Sequence, residues 1–210
     1  SHSESEIFVF MTQDAMPKDA GLIEKLTARL KGDVAVAYAR QLPGKDSSVL
    51  ERFSRLFNYP AQSRIKSLED MGELGIKTFF CSNVCAAYRR DIYEELGGFV
   101  NRTIFNEDMI YAAGAVRAGY KIAYQADAKV IHSHNYSCMQ QFHRNFDLGV
   151  SQAEHPEVFG GVKSESEGFK MVKAASGYLR AKHMMRKLPY FYLQCCFKYG
   201  GYLCGKHYGK

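Results

Sequence analysis

Ile7-Phe8-Val9-Phe10-Met11-Thr12-Gln13-Asp14 is the stretch on which the fold turns. Five apolar residues in unbroken succession predict a strand buried on both faces, as in the interior of an α/β sheet. The run stops at Thr12-Gln13, and Asp14 follows at once. Ligands of open α/β sheets sit at the carboxyl ends of strands, so Asp14 is a candidate binding carboxylate. A lone Asp in that place also serves as a turn former or helix cap.

Moving outward, the pattern alternates. Pro17 suits the first turn of a helix whose apolar stripe is Leu22, Ile23, Leu26 and Leu30, ended by Gly32. Residues 34–39 predict a second strand, and Leu50, Phe53, Leu56 and Phe57 mark an amphipathic helix closed by Asn58-Tyr59-Pro60. Residues 61–75 are polar and irregular, with a capping-box signal at Ser67 and Asp70. Residues 78–88 predict a strand broken at Ser82-Asn83. A short helix over 91–96 ends at Gly97-Gly98. Residues 107–118 predict a helix with Gly119 at its C-terminal cap. Two strands follow at 121–124 and 129–132. Ser137 opens a helix with Met139, Phe142 and Phe146 facing inward, ended by His155-Pro156. Ser164 and Glu167 cap a further helix, which Pro189 breaks. The fold class expected is α/β, and no Gly-rich phosphate loop is present.

Three more groups can carry chemistry. Glu107-Asp108 opens a helix, where acidic side chains complement the helix dipole; two adjacent carboxylates exceed what one cap needs, so one is a candidate general base. His132-Ser133-His134 ends a strand, and alternation puts both imidazoles on one face about 7 Å apart. With carboxylates elsewhere, that pair makes a divalent metal site plausible.

The chain has 210 residues, 46% hydrophobic and 24% charged, enough to build a core. The formal net charge is +6, yet residues 168–210 hold nine Lys or Arg and no acid, so all the positive excess lies in the last fifth. Nine aromatic residues share that stretch. The combination suits an anionic membrane surface or a packed helical appendage with a basic face. Nucleic acid is not expected as a partner, because the rest of the chain is mildly acidic and has no nucleic-acid signature. No run of 18 apolar residues exists. The six cysteines form no C-x-x-C pair and read as reduced thiols of a cytoplasmic protein.

The order of the motifs carries a resemblance. Phe10-Met11-Thr12-Gln13-Asp14-Ala15, Asn83-Val84-Cys85-Ala86-Ala87-Tyr88-Arg89-Arg90, Glu94-Glu95-Leu96-Gly97-Gly98-Phe99 and Asn106-Glu107-Asp108-Met109 follow one another as in family 2 glycosyltransferases of the GT-A fold. Arg40-Gln41-Leu42-Pro43, Leu56-Phe57-Asn58-Tyr59-Pro60 and His132-Ser133-His134-Asn135-Tyr136-Ser137 resemble the bacterial rhamnosyltransferase branch. The resemblance is strong over residues 7–152 and looser beyond.

It implies the C-terminal, acceptor- and metal-side half of a GT-A mixed sheet with flanking helices, over 7–155, followed by a basic, aromatic helical extension at 156–210. Residues 1–6 read as a cut end or cloning scar, with the family's N-terminal nucleotide-binding half missing. Thr12-Gln13-Asp14 stands where the family has D-x-D, so only the last acid is kept. The implied roles are Asp108 as catalytic base with Glu107 beside it. Asp14 with His134, or less so His132, would hold Mg²⁺ or Mn²⁺, and Gln13, Arg40, Asn83, Gly97, Gly98 and Arg117 would contact substrate. The implied reaction is inverting transfer of a sugar, rhamnose from dTDP-rhamnose, to a polysaccharide or lipid-linked acceptor. The chain alone is expected to be inactive and to sit peripherally on the inner face of the cell membrane, anchored by Tyr190, Phe191, Leu193 and Phe197. A reading of another class is a non-catalytic binding module that docks to a membrane or a partner protein.

Overall fold

The computed structural model describes residues 4–161 and 164–208, with side chains omitted at 164–166. The strands are β1 (Ile7–Met11), β2 (Met16–Pro17), β3 (Val34–Leu42), β4 (Arg64–Lys66), β5 (Cys85–Arg89) and β6 (Lys121–Ile131). The helices are α1 (Leu22–Thr27), α2 (Val49–Asn58), α3 (Met71–Leu74), α4 (Arg90–Glu95), α5 (Glu107–Arg117), α6 (Cys138–Glu154), α7 (Pro156–Phe159), α8 (Ser164–Ala181) and α9 (Leu188–Lys206). They divide into two compact units. The first holds residues 1–45, 58–101 and 107–133, and the second holds 46–57, 102–106 and 134–210. Among the described residues, no helix is long and apolar enough to cross a membrane.

The first unit is a mixed six-stranded sheet of order β1-β5-β3-β6-β2, with β4 also on β6. This is the mixed sheet with flanking helices that the resemblance implies. β3 and β6 run parallel, and the other pairs are antiparallel. The Val/Ala-rich β3 is buried on both faces at the centre, as continuous apolar strands are. One core cluster gathers Leu22, Leu26 and Leu30 against Val34, Ala37, Ala39, Ala123 and Val130. α5 is buried nearly all round through Ile110, Tyr111, Ala112, Ala113, Ala115 and Val116. It stops at Gly119 (φ +94°), as its cap signal predicts.

Several local expectations are corrected. β1 is an edge strand, and Val9, Phe10 and Met11 are exposed. Its apolar run reflects rings rather than two-sided burial: Phe8 packs on Tyr93, and Phe10 on Tyr88 and Phe99, with Tyr111 completing the cluster. Pro17 lies in β2 and opens no helix; it needs no N–H there, and strand-edge positions tolerate it. Ile23 and Leu56 face outward. Residues 64–66 form a strand despite their polarity. Residues 75–78 form a 3₁₀ turn, so only Cys85–Arg89 of the expected broken strand is one. The strands expected at 121–124 and 129–132 are a single strand. Its register slips between Ala39/Gln125 and Arg40/Lys129, and there the Ala126 N–H turns to Ser63 Oγ at 2.9 Å.

The second unit is helical. α6 and α9 approach backbone to backbone, and glycine permits it. A Cβ on Gly201 would stand 2.2 Å from the Phe142 carbonyl oxygen, one on Gly205 2.0 Å from that of Phe146, and one on Gly149 2.4 Å from that of Tyr202. Phe53, Ala175, Leu179, Leu188 and Phe191 form its core. Ser137 caps α6 as expected, with a reciprocal box to Gln140; Met139, however, is exposed. Pro189 begins α9 instead of breaking a helix, because the first turn does not need its N–H. The side-chain cap expected at Ser164 lies outside the described residues. Phe191 is buried in the helical core, so it is not the surface anchor its sequence neighbourhood suggests.

Candidate active site

Strand direction decides what meets at the rim of the sheet. β1, β3 and β6 all end at the edge where β5 begins, because β5 is antiparallel to β1 and β3 while β3 and β6 are parallel. That edge therefore collects Asp14 after β1, Gln41 at the end of β3, Asn83 before β5, and His132 after β6. The ladder extends past the strands to hold them: Thr12 N–H donates to the Val84 carbonyl at 3.2 Å, and His132 N–H to that of Leu42 at 3.0 Å.

Asp14 and His132 come together. Asp14 Oδ2 lies 3.2 Å from His132 Nε2, with the imidazole buried and the carboxylate half exposed. His132 Nδ1 lies 3.0 Å from Gln41 Oε1. Gln41 Nε2 donates to Tyr59 Oη at 2.6 Å and Ser82 Oγ at 2.9 Å. With its amide N–H groups so occupied, Gln41 offers His132 an acceptor, and Nδ1 carries the proton. The lone pair of a neutral imidazole is then on Nε2, facing a carboxylate oxygen. Two such electron-rich atoms are satisfied by a proton or a cation, and an imidazole nitrogen with a carboxylate oxygen suits Mg²⁺ or Mn²⁺ as a donor set. His134, two residues on, belongs to the second unit. There its ring stacks on Tyr136 at 4.9 Å, and its N–H reaches Glu51 Oε1 at 3.4 Å.

Asn83 organises the other half. Its backbone N–H donates to Asp108 Oδ2 at 3.0 Å and its Nδ2 to Glu107 Oε1 at 3.1 Å, while its Oδ1 accepts from Tyr88 Oη at 2.7 Å. The Met109 N–H donates to Asp108 Oδ1 at 2.7 Å. Burial pushes the Asp108 carboxyl up to about 6, against the two backbone donors and helped by the Glu107 charge. Asp108 keeps lone pairs for a further donor, since a carboxylate has about four. Lys66, buried at the end of β4, donates to the carbonyls of Lys77 (2.9 Å) and Phe80 and so pins the turn leading to Ser82-Asn83. Burial drops its ammonium to about 7.

The remaining expected contacts are more scattered. Gln13 is exposed beside Asp14. Arg40 Nε donates to the Tyr59 carbonyl at 3.2 Å. Gly97 and Gly98, with φ +78° and +72°, form the turn after α4; a Cβ on Gly98 would press on the Tyr93 ring at 2.8 Å. Arg117 sits on the last turn of α5, the end away from Asp108, with its guanidinium over Phe79. Sequence reading gave no role to Gln41, Ser82, Tyr59 or Lys66. The signal for Gln41 was present: a polar residue two positions after Ala39 on the face that also carries Ala37, in a buried strand.

Comparison with known proteins gives the family. Residues 2–154 match the family model described as glycosyltransferase like family 2. The chain is 44% identical over 212 residues to the O-antigen chain rhamnosyltransferase WbaN of Salmonella anatum, covering 99% of this chain and 66% of that protein. It is 43% identical over 209 residues to the O-antigen chain rhamnosyltransferase RfbN of Salmonella typhimurium, covering 98% and 66%. The chain thus spans just under two thirds of the length of these relatives. A match over most of its residues, with the carboxylates at the strand-end rim, places the chain in the family 2 glycosyltransferases.

Proposed function

We propose that this chain carries the acceptor-activating and metal-binding part of an inverting rhamnosyltransferase that uses dTDP-rhamnose and extends a lipid-linked saccharide. One observation carries the reading: a single path of polar contacts, Asp14–His132–Gln41–Ser82, runs to the residue before Asn83, which holds Asp108. The two carboxylates that such a reaction needs thus share one rim. The names of the two relatives support the sugar and the product class.

Asp108 is the base. It accepts the proton of the acceptor hydroxyl as that oxygen bonds to the anomeric carbon, while the carbon–oxygen bond to the donor diphosphate breaks and the nucleoside diphosphate leaves with the electron pair. A base with pKa about 6 is ionised at neutral pH yet basic enough to take a proton in the transition state. Asn83 holds Glu107 and Asp108 in fixed orientation. Asp14 and His132 would hold Mg²⁺ or Mn²⁺, which would supply charge neutralisation for the departing diphosphate. Exposed Phe169, Tyr190, Tyr192, Leu193 and Tyr199, among cations without acids, would rest on an anionic inner membrane surface where a lipid-linked acceptor is reached.

The test is a chimera in which this chain replaces the matching stretch of the Salmonella anatum relative. Transfer of labelled rhamnose from dTDP-rhamnose to the lipid-linked acceptor is expected. A folded chimera that binds donor and transfers nothing contradicts the reading.

A further inference from the structure

The second unit has an open cavity of about 390 Å³ between α2, residues 134–137, α6, α8 and α9. Its polar lining is out of balance. Lys198 and Lys187 both border it, and among the described residues the one acid in its lining is Glu51. Glu51 is already committed: its Oε1 accepts from Arg55 Nε at 2.7 Å and from the His134 N–H. Lys198 is partly buried, and burial lowers its pKa, with Cys195 and Glu51 opposing. No acceptor among the described residues is within hydrogen-bond reach of its ammonium. Lysine is rarely enclosed without a partner, because an unpaired desolvated charge is costly. A cation left over in a cavity is therefore a ready site for an anion.

The other walls narrow the ligand. Tyr190 and Phe53 line it. Asn135 already accepts from the Ser48 N–H at 2.8 Å and donates to the Asp46 carbonyl at 2.9 Å, yet its amide keeps one N–H and one lone pair. The Gln194 oxygen has capacity beside its Nε2 bond to the Tyr136 carbonyl at 3.4 Å. Rings with amides suit a saccharide, whose hydroxyls need both kinds of partner while its C–H face packs on an aromatic ring. The volume falls in the range of small-molecule sites, about 300–1,000 Å³.

We propose that this cavity binds a phosphorylated saccharide, with the phosphate on Lys198 and the sugar against Tyr190 and the amides of Asn135 and Gln194. The anion preference stands on the charge balance alone. The saccharide part rests on the proposed glycosyl transfer and deepens it by giving the phosphate-bearing end of an acceptor a seat in the helical unit.

Binding to the 210-residue chain tests this without turnover, so its outcome is separate from that of the transfer assay. Glucose 1-phosphate, inorganic phosphate and glucose are titrated while the Lys198 ammonium signal is followed by NMR. Glucose 1-phosphate is expected to bind saturably and tighter than phosphate, to raise the Lys198 pKa, and to lose at least tenfold in affinity in Lys198→Met. Glucose alone should bind no better than phosphate. Lys198→Gln, which keeps a polar tip, and a melting curve of each variant separate lost binding from lost folding. Equal affinity of folded Lys198→Met and parent for glucose 1-phosphate overturns the anion site. Equal affinity for inorganic phosphate and glucose 1-phosphate overturns the saccharide part.

Discussion

Gln41 Oε1 accepts from His132 Nδ1 at 3.0 Å while the same amide donates to Tyr59 and Ser82. One side chain thereby fixes which imidazole nitrogen faces Asp14 and ties that nitrogen to the loop that holds Asp108. Partners of this kind commonly change metal affinity by about 10–100-fold when removed. Gln41→Leu is expected to weaken Mn²⁺ binding within that range by calorimetry. The ¹⁵N shifts of His132 should also move away from the Nδ1–H tautomer. Unchanged shifts together with unchanged Mn²⁺ affinity would contradict the role.

The raised Asp108 pKa has a stability consequence with a definite sign. The folded-state value is about 6 against an ordinary 3.8, so the folded chain holds the proton more tightly. Stability then falls as pH rises through that window, and the cost is complete above it. Asp108→Asn removes the charge and keeps an acceptor for the Asn83 N–H. The variant should melt higher than the parent at pH 7.5, by roughly 2–4 °C for about 1 kcal/mol, and the difference should vanish near pH 4. A lower melting point at pH 7.5 would mean that the carboxylate is stabilising and Asp108 is no strained base.

Between α6 and α9 the backbone itself is the obstacle to substitution. A Cβ on Gly205 would lie 2.0 Å from the Phe146 carbonyl, whereas one on Gly200 meets nothing nearer than Phe142 Cε2 at 3.8 Å. Gly205→Ala should cost about 2 kcal/mol or more in denaturant unfolding. Gly200→Ala should be neutral or gain up to about 1 kcal/mol from helix propensity. Equal effects at both sites would show that the helices do not approach as described.

The basic end of the chain gives a lipid prediction. Flotation should show binding to anionic liposomes, weaker on neutral ones and released by salt, since each cation near such a surface contributes about 1 kcal/mol and the Debye length falls to about 3 Å at 1 M. Tyr190 and Leu193, which are exposed, should matter when changed to Ser. Binding that ignores both lipid charge and salt would contradict the surface role.

The legible parts of the sequence were those that local chemistry fixes. The Glu107–Arg117 helix with its Gly119 stop, the Ser137 cap and the Asp14 strand end all depend on residues within a few positions of one another. Long-range pairing was hidden. β1 looks central by composition, yet aromatic rings from α4, α5 and the following turn cover one side of it. β4 is a strand because β6 offers it an edge, which Arg64-Ile65-Lys66 alone does not announce. Of the site, the carboxylates and histidines were visible from their positions, and Lys66 was not. Gln41 shows in the sequence as a polar residue within a buried strand, whereas Ser82, neutral and buried, becomes visible only through its partner Gln41.

The central claim is that Asp108 takes the acceptor proton and does not hold the donor. In the chimera with the Salmonella anatum relative, rhamnose transfer and dTDP-rhamnose binding are measured side by side for the parent and Asp108→Asn, from pH 5 to 8. Parental transfer is expected to rise with pH through about 6, and Asp108→Asn to lose at least about 10²-fold in rate while donor affinity stays within about twofold. Transfer by Asp108→Asn near the parental rate, or loss of donor binding in step with loss of transfer, would contradict it.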